Sequence, residues 1–280
     1  YEIYDYPGEY GQKSDGDKNI KLRMEEEEVD HDTVNGTSLC KTFTPGGKFK
    51  ITGERAGGDK DGSFVITSVQ HIATETLSYE SGGSVAQDYS NSFTCIPDTV
   101  VFRPARVSPE PMISGVQTAV VVGPSGEEIY TDEYGRVKVQ FHWDREGQRN
   151  ESSSCWIRVA HSSAGKKWGF MSIPRIGQEV VVDFLEGDPD RPLVVGSVYN
   201  AEQMPPYELP ANQTRSYIKT NSSKGGDGFN EIRIEDKKDS EQIFFHAERN
   251  MDVRVKNDSK ERGGANRHLI VGSDSNGGEG

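Results

Sequence analysis

EEIYTDEYGRVKVQFHWD, residues 127–144, is the stretch that decides the fold. Its pattern predicts two short strands joined by a turn at residues 132–135. After the turn the sequence alternates strictly, so one strand face carries Val137, Val139, Phe141 and Trp143. The other face carries Arg136, Lys138, Gln140 and His142. One apolar and one polar face are typical of an antiparallel sheet that packs on one side.

Strands of this kind recur through residues 109–200, which we predict to form an OB-fold barrel. The candidate strands are VQTAVVVG, EEIYT, RVKVQFHWD, CWIRVAHS and EVVVDFLEG, with PLVVGSVYN as a sixth or a continuation. The segment EGDPDRP supplies a tight turn before the last one. Short strands at regular spacing, Gly-marked turns and no helical periodicity favour a small closed barrel over a sandwich.

The composition agrees with a mainly β chain of two or three domains. Among 280 residues, 31 are Gly and only 32% are hydrophobic, which suits short strands and many turns. No run of about 18 apolar residues is present that could span a bilayer. The net charge of −13 repels phosphate backbones and anionic lipid head groups.

Residues 1–108 form the first predicted domain. A helix is expected within residues 19–36, with Asn35-Gly36 as its stop signal, and strands are expected near residues 48–52 and 62–73. The acidic run 25–28 is interpreted as a solvated helix face. The cysteines Cys40, Cys95 and Cys155 are widely spaced and odd in number, so we expect buried thiols rather than disulfides.

A proline-rich linker, residues 201–217, precedes a third domain at residues 218–280. There NEIRIED, EQIFFHAE and MDVRVKND recur at a spacing near ten residues, which indicates an internal repeat of short strands. Each piece places two apolar side chains on one face and charged ones on the other. The apolar residues are Ile232, Ile234, Ile243, Phe245, Val253 and Val255.

Six such side chains cannot offset the conformational entropy of ordering the whole third domain. A lone ribbon would also leave its apolar stripe uncovered and its strand edges open. Several copies closed around one axis would bury every stripe and pair the edges. The pattern therefore predicts an obligate oligomer whose core is formed by these six residues.

Two pairs of side chains have residue types that could form a chemical site. Cys155 and His161 lie six residues apart on one predicted strand, roughly 20 Å at about 3.3 Å per residue, which is too far for a nucleophile and its base. His142 and Asp144 have a spacing that suits two metal ligands, but no third ligand is evident. We interpret both pairs as structural.

Three other motifs match known binding motifs only in part. Asp15, Asp17, Asn19 and Glu26 half match a calcium loop, but Ile20 stands where that loop needs glycine. The glycine-rich segments GPSGEE and SSKGGDG lack the ending of a phosphate-binding loop and predict turns. GKKW and Arg175 form a small basic spot on the barrel, a feature of single-stranded nucleic-acid binders that the overall acidity opposes.

Long segments resemble one known family. VVGPSGEEIYTDEYGRVKVQFHWDREG, IPRIGQEVVVDFLEGDPDRPLVVGSVYN and GGDGFNEIRIEDKKDSEQIFFHAERNMDVRVKND are similar to the VgrG proteins of type VI secretion systems. So are YEIYDYPGEY, NSFTCIPDTVVFRP, SSCWIRVA and MPPYELPANQTRS, and the resemblance covers essentially the whole chain. It implies the C-terminal part of a phage-hub-like head, an OB-fold barrel and the start of an intertwined triple-stranded β-helix.

The resemblance also implies a homotrimeric spike, a structural protein without cofactor, metal or catalytic residues. Such a spike sits on a tube of Hcp rings, bears a PAAR-type tip protein and effectors, and pierces the target membrane without an integral membrane segment. It would assemble in the bacterial cytoplasm and leave through the type VI system, to the extracellular space or a target cell. Two alternatives stay open at this point: an envelope-degrading enzyme module and an OB-fold nucleic-acid-binding protein.

Overall fold

The computed structural model describes residues 2–8, 10–52, 62–75 and 87–271. The chain is mainly β and divides into two compact units, Tyr1–Glu110 and Pro111–Gly280. The first unit holds α1 (Lys13–Glu28), β1 (Val34–Ser38), β2 (Lys48–Lys50), β3 (Ser63–Glu75) and β4 (Gln87–Pro97). These strands form one antiparallel sheet in the order β1-β4-β3-β2. Its buried core consists of Phe64, Ile66, Cys95 and Ile96.

The helix lies earlier in the chain than the sequence predicts. It ends at Glu28, and Asn35-Gly36 belongs to β1, where Gly36 pairs with Phe93 of β4. A Cβ atom on Gly36 would lie 2.5 Å from Cζ of Phe93. The glycine therefore makes room for an aromatic ring on the neighbouring strand and does not stop a helix.

The acidic run at the end of α1 is solvated in part: Glu27 and Glu28 are exposed, as predicted, whereas Glu25 and Glu26 are half-buried. Arg103 Nε donates to Glu25 Oε2 at 2.7 Å, and the backbone N–H of Arg106 donates to Glu26 Oε1 at 2.7 Å. Both glutamate side chains are less than one fifth exposed. The two carboxylates tie residues 103–106 to the helix.

The expectation of buried thiols holds for one cysteine of three. Cys95 is fully buried in the first sheet, whereas Cys40 and Cys155 are exposed, and none is in a disulfide. Cys40 lies two residues after the end of β1, and its sulfur and Thr42 Oγ1 are 3.3 Å apart. Hydrogen bonding to Thr42 lowers the pKa of the Cys40 thiol.

The second unit begins with the barrel. It contains β5 (Gln117–Val122), β6 (Lys138–Phe141), β7 (Arg158–Val159), β8 (Ala164–Gly165), β9 (Trp168–Gly169), β10 (Glu179–Phe184) and β11 (Pro192–Val198). Five strands pair in the order β6-β5-β10-β11-β7, and β8 with β9 forms a separate hairpin. Reciprocal backbone hydrogen bonds between Val137 and Ile157, of 2.9 and 2.8 Å, join β6 back to β7. The five strands therefore close into a barrel.

The barrel interior is apolar, as the alternation at residues 137–139 predicts. The buried cluster consists of Ala119, Val121, Val137, Val139, Ile157, Val180, Val182, Phe184 and Val194. The segment EGDPDRP forms the expected turn, with a short 3-10 helix at Leu185–Gly187. The predicted strand CWIRVAHS shrinks to the two residues of β7 and the bridge at Ile157.

Two features of the opening stretch differ from the prediction. EEIYT is not a strand, because it forms no ladder with another described strand: the Glu127 N–H donates to the Pro124 carbonyl within a turn, and the Glu128 carbonyl accepts from the Ile176 N–H. β6 ends at Phe141, so Trp143 lies in a turn, 65% exposed, with its ring stacked on Phe141. The chain turns there because Asp144 Oδ1 accepts the N–H groups of Glu146 and Gly147.

The turn at residues 132–135 is confirmed. Asp132 Oδ1 accepts the backbone N–H groups of Tyr134 and Arg136, and Gly135 adopts a φ of 73°. The Arg136 guanidinium also contacts the Asp132 carboxylate at 2.6 Å. The pKa of Asp132 is lowered: desolvation raises it, but the hydrogen bonds from Arg136 and Tyr134 outweigh that effect.

The unit ends in a C-terminal sheet of β12 (Arg215–Lys219), β13 (Glu231–Glu235) and β14 (Gln242–His246), antiparallel in that order. NEIRIED and EQIFFHAE are confirmed as strands. MDVRVKND is not one, because residues 251–258 have no ladder partner among the described residues. β12 lies partly within the range predicted as linker, and it completes the sheet on the free side of β13.

Candidate functional site

The C-terminal sheet exposes its apolar face. Ile218, Ile232 and Phe245 form one row across the three strands, and Ile234 and Ile243 pair in the next row. These five side chains are between 41% and 67% exposed. A sheet in water normally covers its apolar face, and within one chain this face is uncovered.

The opposite, charged face is the covered one. Glu231 is 3% exposed, because Tyr207 from the preceding proline-rich segment lies over it. Tyr207 Oη donates to Glu231 Oε1 at 2.5 Å and accepts from Arg233 Nη1 at 2.8 Å. Lys219 Nζ lies 3.9 Å from the same carboxylate. The buried charge of Glu231 is thus surrounded by donors, as a buried carboxylate requires.

Three basic side chains lie over the aromatic ring of Tyr207. The Arg215 guanidinium lies 4.9 Å, the Lys219 ammonium 5.3 Å and the Arg233 guanidinium 5.5 Å from its centroid. Tyr217 packs edge-on against the same ring at 5.1 Å. Desolvation, and then the hydrogen bond to Glu231, raise the pKa of Tyr207. The proline-rich segment is therefore fixed to the sheet by a polar and aromatic contact.

The turn at one end of the sheet is held by Glu235. Its carboxylate accepts from Thr214 Oγ1 at 2.5 Å, from Arg215 Nε at 2.8 Å and from the Lys237 N–H at 3.0 Å. These contacts, the Thr214 hydrogen bond first, lower the pKa of Glu235 to about 2. The strand β12 is thereby joined to the start of the β13–β14 turn.

At the other end a polar joint connects the sheet to the barrel. Arg175 Nη1 contacts Glu128 Oε1 at 2.5 Å, and Arg175 Nη2 donates to the carbonyl of Asn221 at 2.7 Å. Lys224 contributes its N–H to Glu128 Oε2 and its ammonium to the Gly126 carbonyl. Arg175, which the sequence placed in a basic spot, therefore serves to connect two parts of this unit.

The predicted core residues have two different environments. Ile232, Ile234, Ile243 and Phe245 lie together on the exposed apolar face. Val253 and Val255 follow in a segment without ladder partners, 73% and 48% exposed. The sequence interpretation missed Ile218, although RSYIK alternates in the same way as the later strands, because the residues before it were assigned to the linker.

The two candidate pairs, which the sequence analysis interprets as structural, take part in separate local contacts. Cys155 and His161 flank β7 and have no contact with each other, and Asp144 caps a turn. His142 Nε2 lies 3.8 Å from Glu179 Oε1 of β10. Hydrogen bonds from Asn200 and Thr118, and the charge of His142 to a smaller extent, lower the pKa of Glu179. Among the described residues no group of three or more His, Cys, Asp or Glu is placed to hold a metal ion.

The remaining motifs are structural. Asp15, Asp17, Asn19 and Glu26 all lie inside α1, so their backbone has no loop that could encircle calcium. GPSGEE and SSKGGDG are turns, as predicted, with Gly126 and Gly225 at φ values of 87° and 85°. None of the described helices is long and apolar enough to cross a membrane.

Three family models match the chain. Residues 1–77 match the phage tail baseplate hub family, and residues 118–199 match the type VI secretion system/phage-baseplate injector OB domain. Residues 216–277 match the C-terminal trimerisation domain of bacteriophage T4 gp5. The second match includes the barrel strands from Thr118 onward, and the third includes the C-terminal sheet from Ser216 onward.

Curated relatives are similar over most of this chain. The type VI secretion system spike protein VgrG1b of Pseudomonas aeruginosa is 50% identical over 92% of this chain and 35% of its own length. The actin cross-linking toxin VgrG1 of Vibrio cholerae is 40% identical over 97% of this chain and 25% of its own length. This chain therefore spans about a third or less of these relatives.

A solved structure of the E. coli c3393 protein, described as a type VI secretion component similar to the T4 tail proteins gp27 and gp5, matches with a TM-score of 0.45. The match has 24% identity and covers 68% of this chain and 44% of that one.

Proposed function

Because the chain belongs to the VgrG family of type VI secretion system spike proteins, we propose that it is a structural module of a homotrimeric puncturing spike. Its work is mechanical. Three copies present a rigid shaft to the target envelope, and the chain itself performs no catalysis. The mechanical role is shared by three parts of the chain: the head-like unit, the barrel at residues 109–200 and the shaft from residue 218 onward.

The observation that supports this proposal is the inverted exposure of the C-terminal sheet. Its apolar residues face solvent, while its charged residues are covered by Tyr207 and by one another. Burial of apolar surface is the dominant favourable contribution to association, so this face is expected to be covered in the working protein. The match of residues 216–277 to a trimerisation domain supports three copies.

In the proposed trimer, each chain turns its apolar face toward the common axis. Ile232, Ile234, Ile243 and Phe245, followed by Val253 and Val255, then form the core of the shaft. β12 and β14 are the edges of the sheet, with unpaired N–H and C=O groups on their outer sides. Pairing of these edges between chains gives the shaft its stiffness.

The partners follow from the family. We propose that the head-like unit belongs to the end that meets a tube of Hcp rings, and that a PAAR-type protein and effectors occupy the opposite tip. The toxin relative is four times longer than the part it shares with this chain, so the shared part is proposed as the carrier. The spike would assemble in the bacterial cytoplasm and be secreted into a target cell or the surroundings.

Light scattering on the purified chain tests the proposal. We expect a mass of three times 31.0 kDa at micromolar concentration. In urea, the trimer should dissociate at the same concentration at which the apolar face becomes exposed to solvent, because the residues of that face make the contacts between chains. A clean monomer at micromolar concentration would contradict the proposal, and so would turnover of peptidoglycan or peptide substrates by the isolated chain.

A further inference from the structure

The barrel carries a hairpin that the proposed shaft does not explain. β8 and β9 pair through Ala164 with Gly169 and Gly165 with Trp168, and residues 162–172 are exposed throughout. This segment, here the basic hairpin, presents three large apolar side chains. Trp168 is 71%, Phe170 50% and Met171 61% exposed. So many large apolar groups on one short projection mark a contact surface.

Trp168 is held in place before any partner arrives. A Cβ atom on Gly165 would lie 2.2 Å from the Trp168 ring, so the ring lies flat on the glycine. The backbone is fixed by the cross-strand pairs, by the Phe170 N–H donating to the Ser163 carbonyl at 2.9 Å, and by Lys167 at a φ of 66°. Rigid aromatic groups lose little entropy on binding, which makes them effective anchors.

The charge of the hairpin is opposite to that of the chain. Residues 152–178 contain no Asp or Glu and form the longest such stretch of a chain whose net charge is −13. They include four basic residues, with Lys166 and Lys167 at the hairpin turn. Neither lysine pairs with a carboxylate among the described residues. A basic, apolar projection on an acidic protein is complementary to another copy of the same protein.

The hairpin also lies close, along the chain, to the proposed shaft. It ends three residues before Arg175, whose guanidinium contacts the Asn221 and Ser222 carbonyls directly after β12. The five apolar side chains of the sheet are already half covered, so their full burial removes on the order of 400 Å² per chain. Stable interfaces bury about 800 Å² per partner or more. Contacts beyond these five side chains must supply the difference. In the proposed shaft these include Val253, Val255 and the paired edges of β12 and β14, and the hairpin is a further source of contact area.

We propose that the basic hairpin docks on an acidic surface of the neighbouring copy, where Trp168, Phe170 and Met171 are buried and Lys166 and Lys167 meet carboxylates. In a threefold assembly this contact is heterologous and closes after three copies. The inference rests on the proposed trimer and adds to it a second interface, made by the barrel. The barrels are then clamped to one another above the shaft.

The contribution of the hairpin contact can be measured from the protein concentration at which half of the trimer dissociates. Trp168→Ala and the double reversal Lys166→Glu/Lys167→Glu should each raise the concentration of half-dissociation by about tenfold or more. The effect of the double reversal should shrink at high salt, because exposed charges are screened. Phe102→Ala and Lys13→Glu, exposed positions in the first unit, are the matched controls and should leave it unchanged.

Photo-crosslinking gives a readout that does not depend on stability. With p-benzoylphenylalanine in place of Phe170, we expect adducts between chains, on a peptide rich in Asp and Glu. Adducts confined to the same chain would overturn the inference. A trimer that dissociates like the wild type in both hairpin variants would also overturn it while leaving the proposed function intact.

Two other results would contradict it in distinguishable ways. A monomeric wild type would remove the proposed function and this inference together. The second result is that the wild-type trimer binds to vesicles of anionic phospholipid or to a single-stranded oligonucleotide. If the hairpin variants lose that binding and keep the trimer, the hairpin serves a different ligand and not a second copy.

Discussion

Ile232 lies directly opposite Phe245 across β13 and β14, and both side chains point away from the interior of their own chain. Ile218 extends the same row on β12. Glu231, the residue before Ile232, points to the other face and is almost completely buried. Within one chain the apolar residue Ile232 is therefore exposed and the charged residue Glu231 is buried, which is the reverse of the usual arrangement.

Replacement of Phe245 by Asp should prevent assembly. In a trimer the substitution places three carboxylates near one axis, where burial of an unpaired charge costs several kcal/mol per chain. We expect a monomer by light scattering. Ile72→Asp is the control, because Ile72 is a similarly exposed isoleucine on the sheet of the first unit. An assembled Phe245→Asp variant with an unaltered melting curve would show that Phe245 lies outside the interface.

The buried polar face makes a separate prediction. Tyr207→Phe removes the hydroxyl that donates to Glu231 and accepts from Arg233. Leaving Glu231 with one donor fewer should lower the free energy of unfolding by about 1–3 kcal/mol, as measured by urea denaturation. Tyr199→Phe, another tyrosine in the same unit but without a hydrogen bond to Glu231, should have a smaller effect. Equal effects would mean that the Tyr207 hydroxyl contributes nothing specific.

The period-two alternation predicted β13, β14 and the apolar side of β6 correctly, because burial on one face imposes that pattern directly. It could not predict which face of β13 is covered within a single chain. EIRIE predicts a strand whose Ile232 and Ile234 lie in the core of an oligomer, and within one chain these two residues are exposed while Glu231 is buried. That outcome depends on Tyr207, which lies 24 residues earlier in a segment without periodicity.

Errors at the ends of elements had a similar cause. Asn35-Gly36 is a good local stop signal, but Gly36 is needed for the close approach of Phe93, which comes from a strand almost sixty residues later. Trp143 continues the alternation of β6, yet Asp144 bends the chain by capping two N–H groups. The basic hairpin contains the GKKW motif. Its proposed role depends on the exposure of the Trp168 side chain, which is determined by the folded barrel and could not be predicted from the motif.

Gly36→Ala should destabilise the first sheet. The new methyl group would lie 2.5 Å from the Phe93 ring, which is held by edge contacts with Phe43 and Phe49 and cannot move freely. Overpacking of this kind costs about 1–3 kcal/mol, measurable by urea denaturation. Gly115→Ala is the control, because a methyl group there meets no atom within 4 Å. A Gly36→Ala protein as stable as the control would mean that the ring relaxes.

The low pKa of Glu235 predicts an acid-sensitive turn. A pKa of about 2 in the folded chain, against the usual 4.5, means that the carboxylate stabilises the fold fully above pH 4.5. This stabilisation is lost as the pH falls from 4.5 toward 2. Wild-type Tm should therefore fall more steeply over this range than that of Glu235→Gln. Glu241→Gln, in the same turn, should retain the wild-type slope, and parallel curves for all three proteins would contradict the assignment.

Arg175→Ala should uncouple the barrel from the C-terminal sheet. The guanidinium holds Glu128 and the carbonyls of Asn221 and Ser222, and without it the hydrogen bonds that remain at the joint among the described residues are those of Lys224. The barrel core does not include Arg175, so the Tm of the barrel should change little. Hydrogen exchange should accelerate at the amides of residues 220–224, since their segment loses its anchor. Arg145→Ala, on an exposed turn of the same barrel, controls for the loss of one positive charge. Unchanged exchange at residues 220–224 in Arg175→Ala would mean that the barrel and the sheet are held together by other contacts, with Lys224 and Glu128 as the first to test.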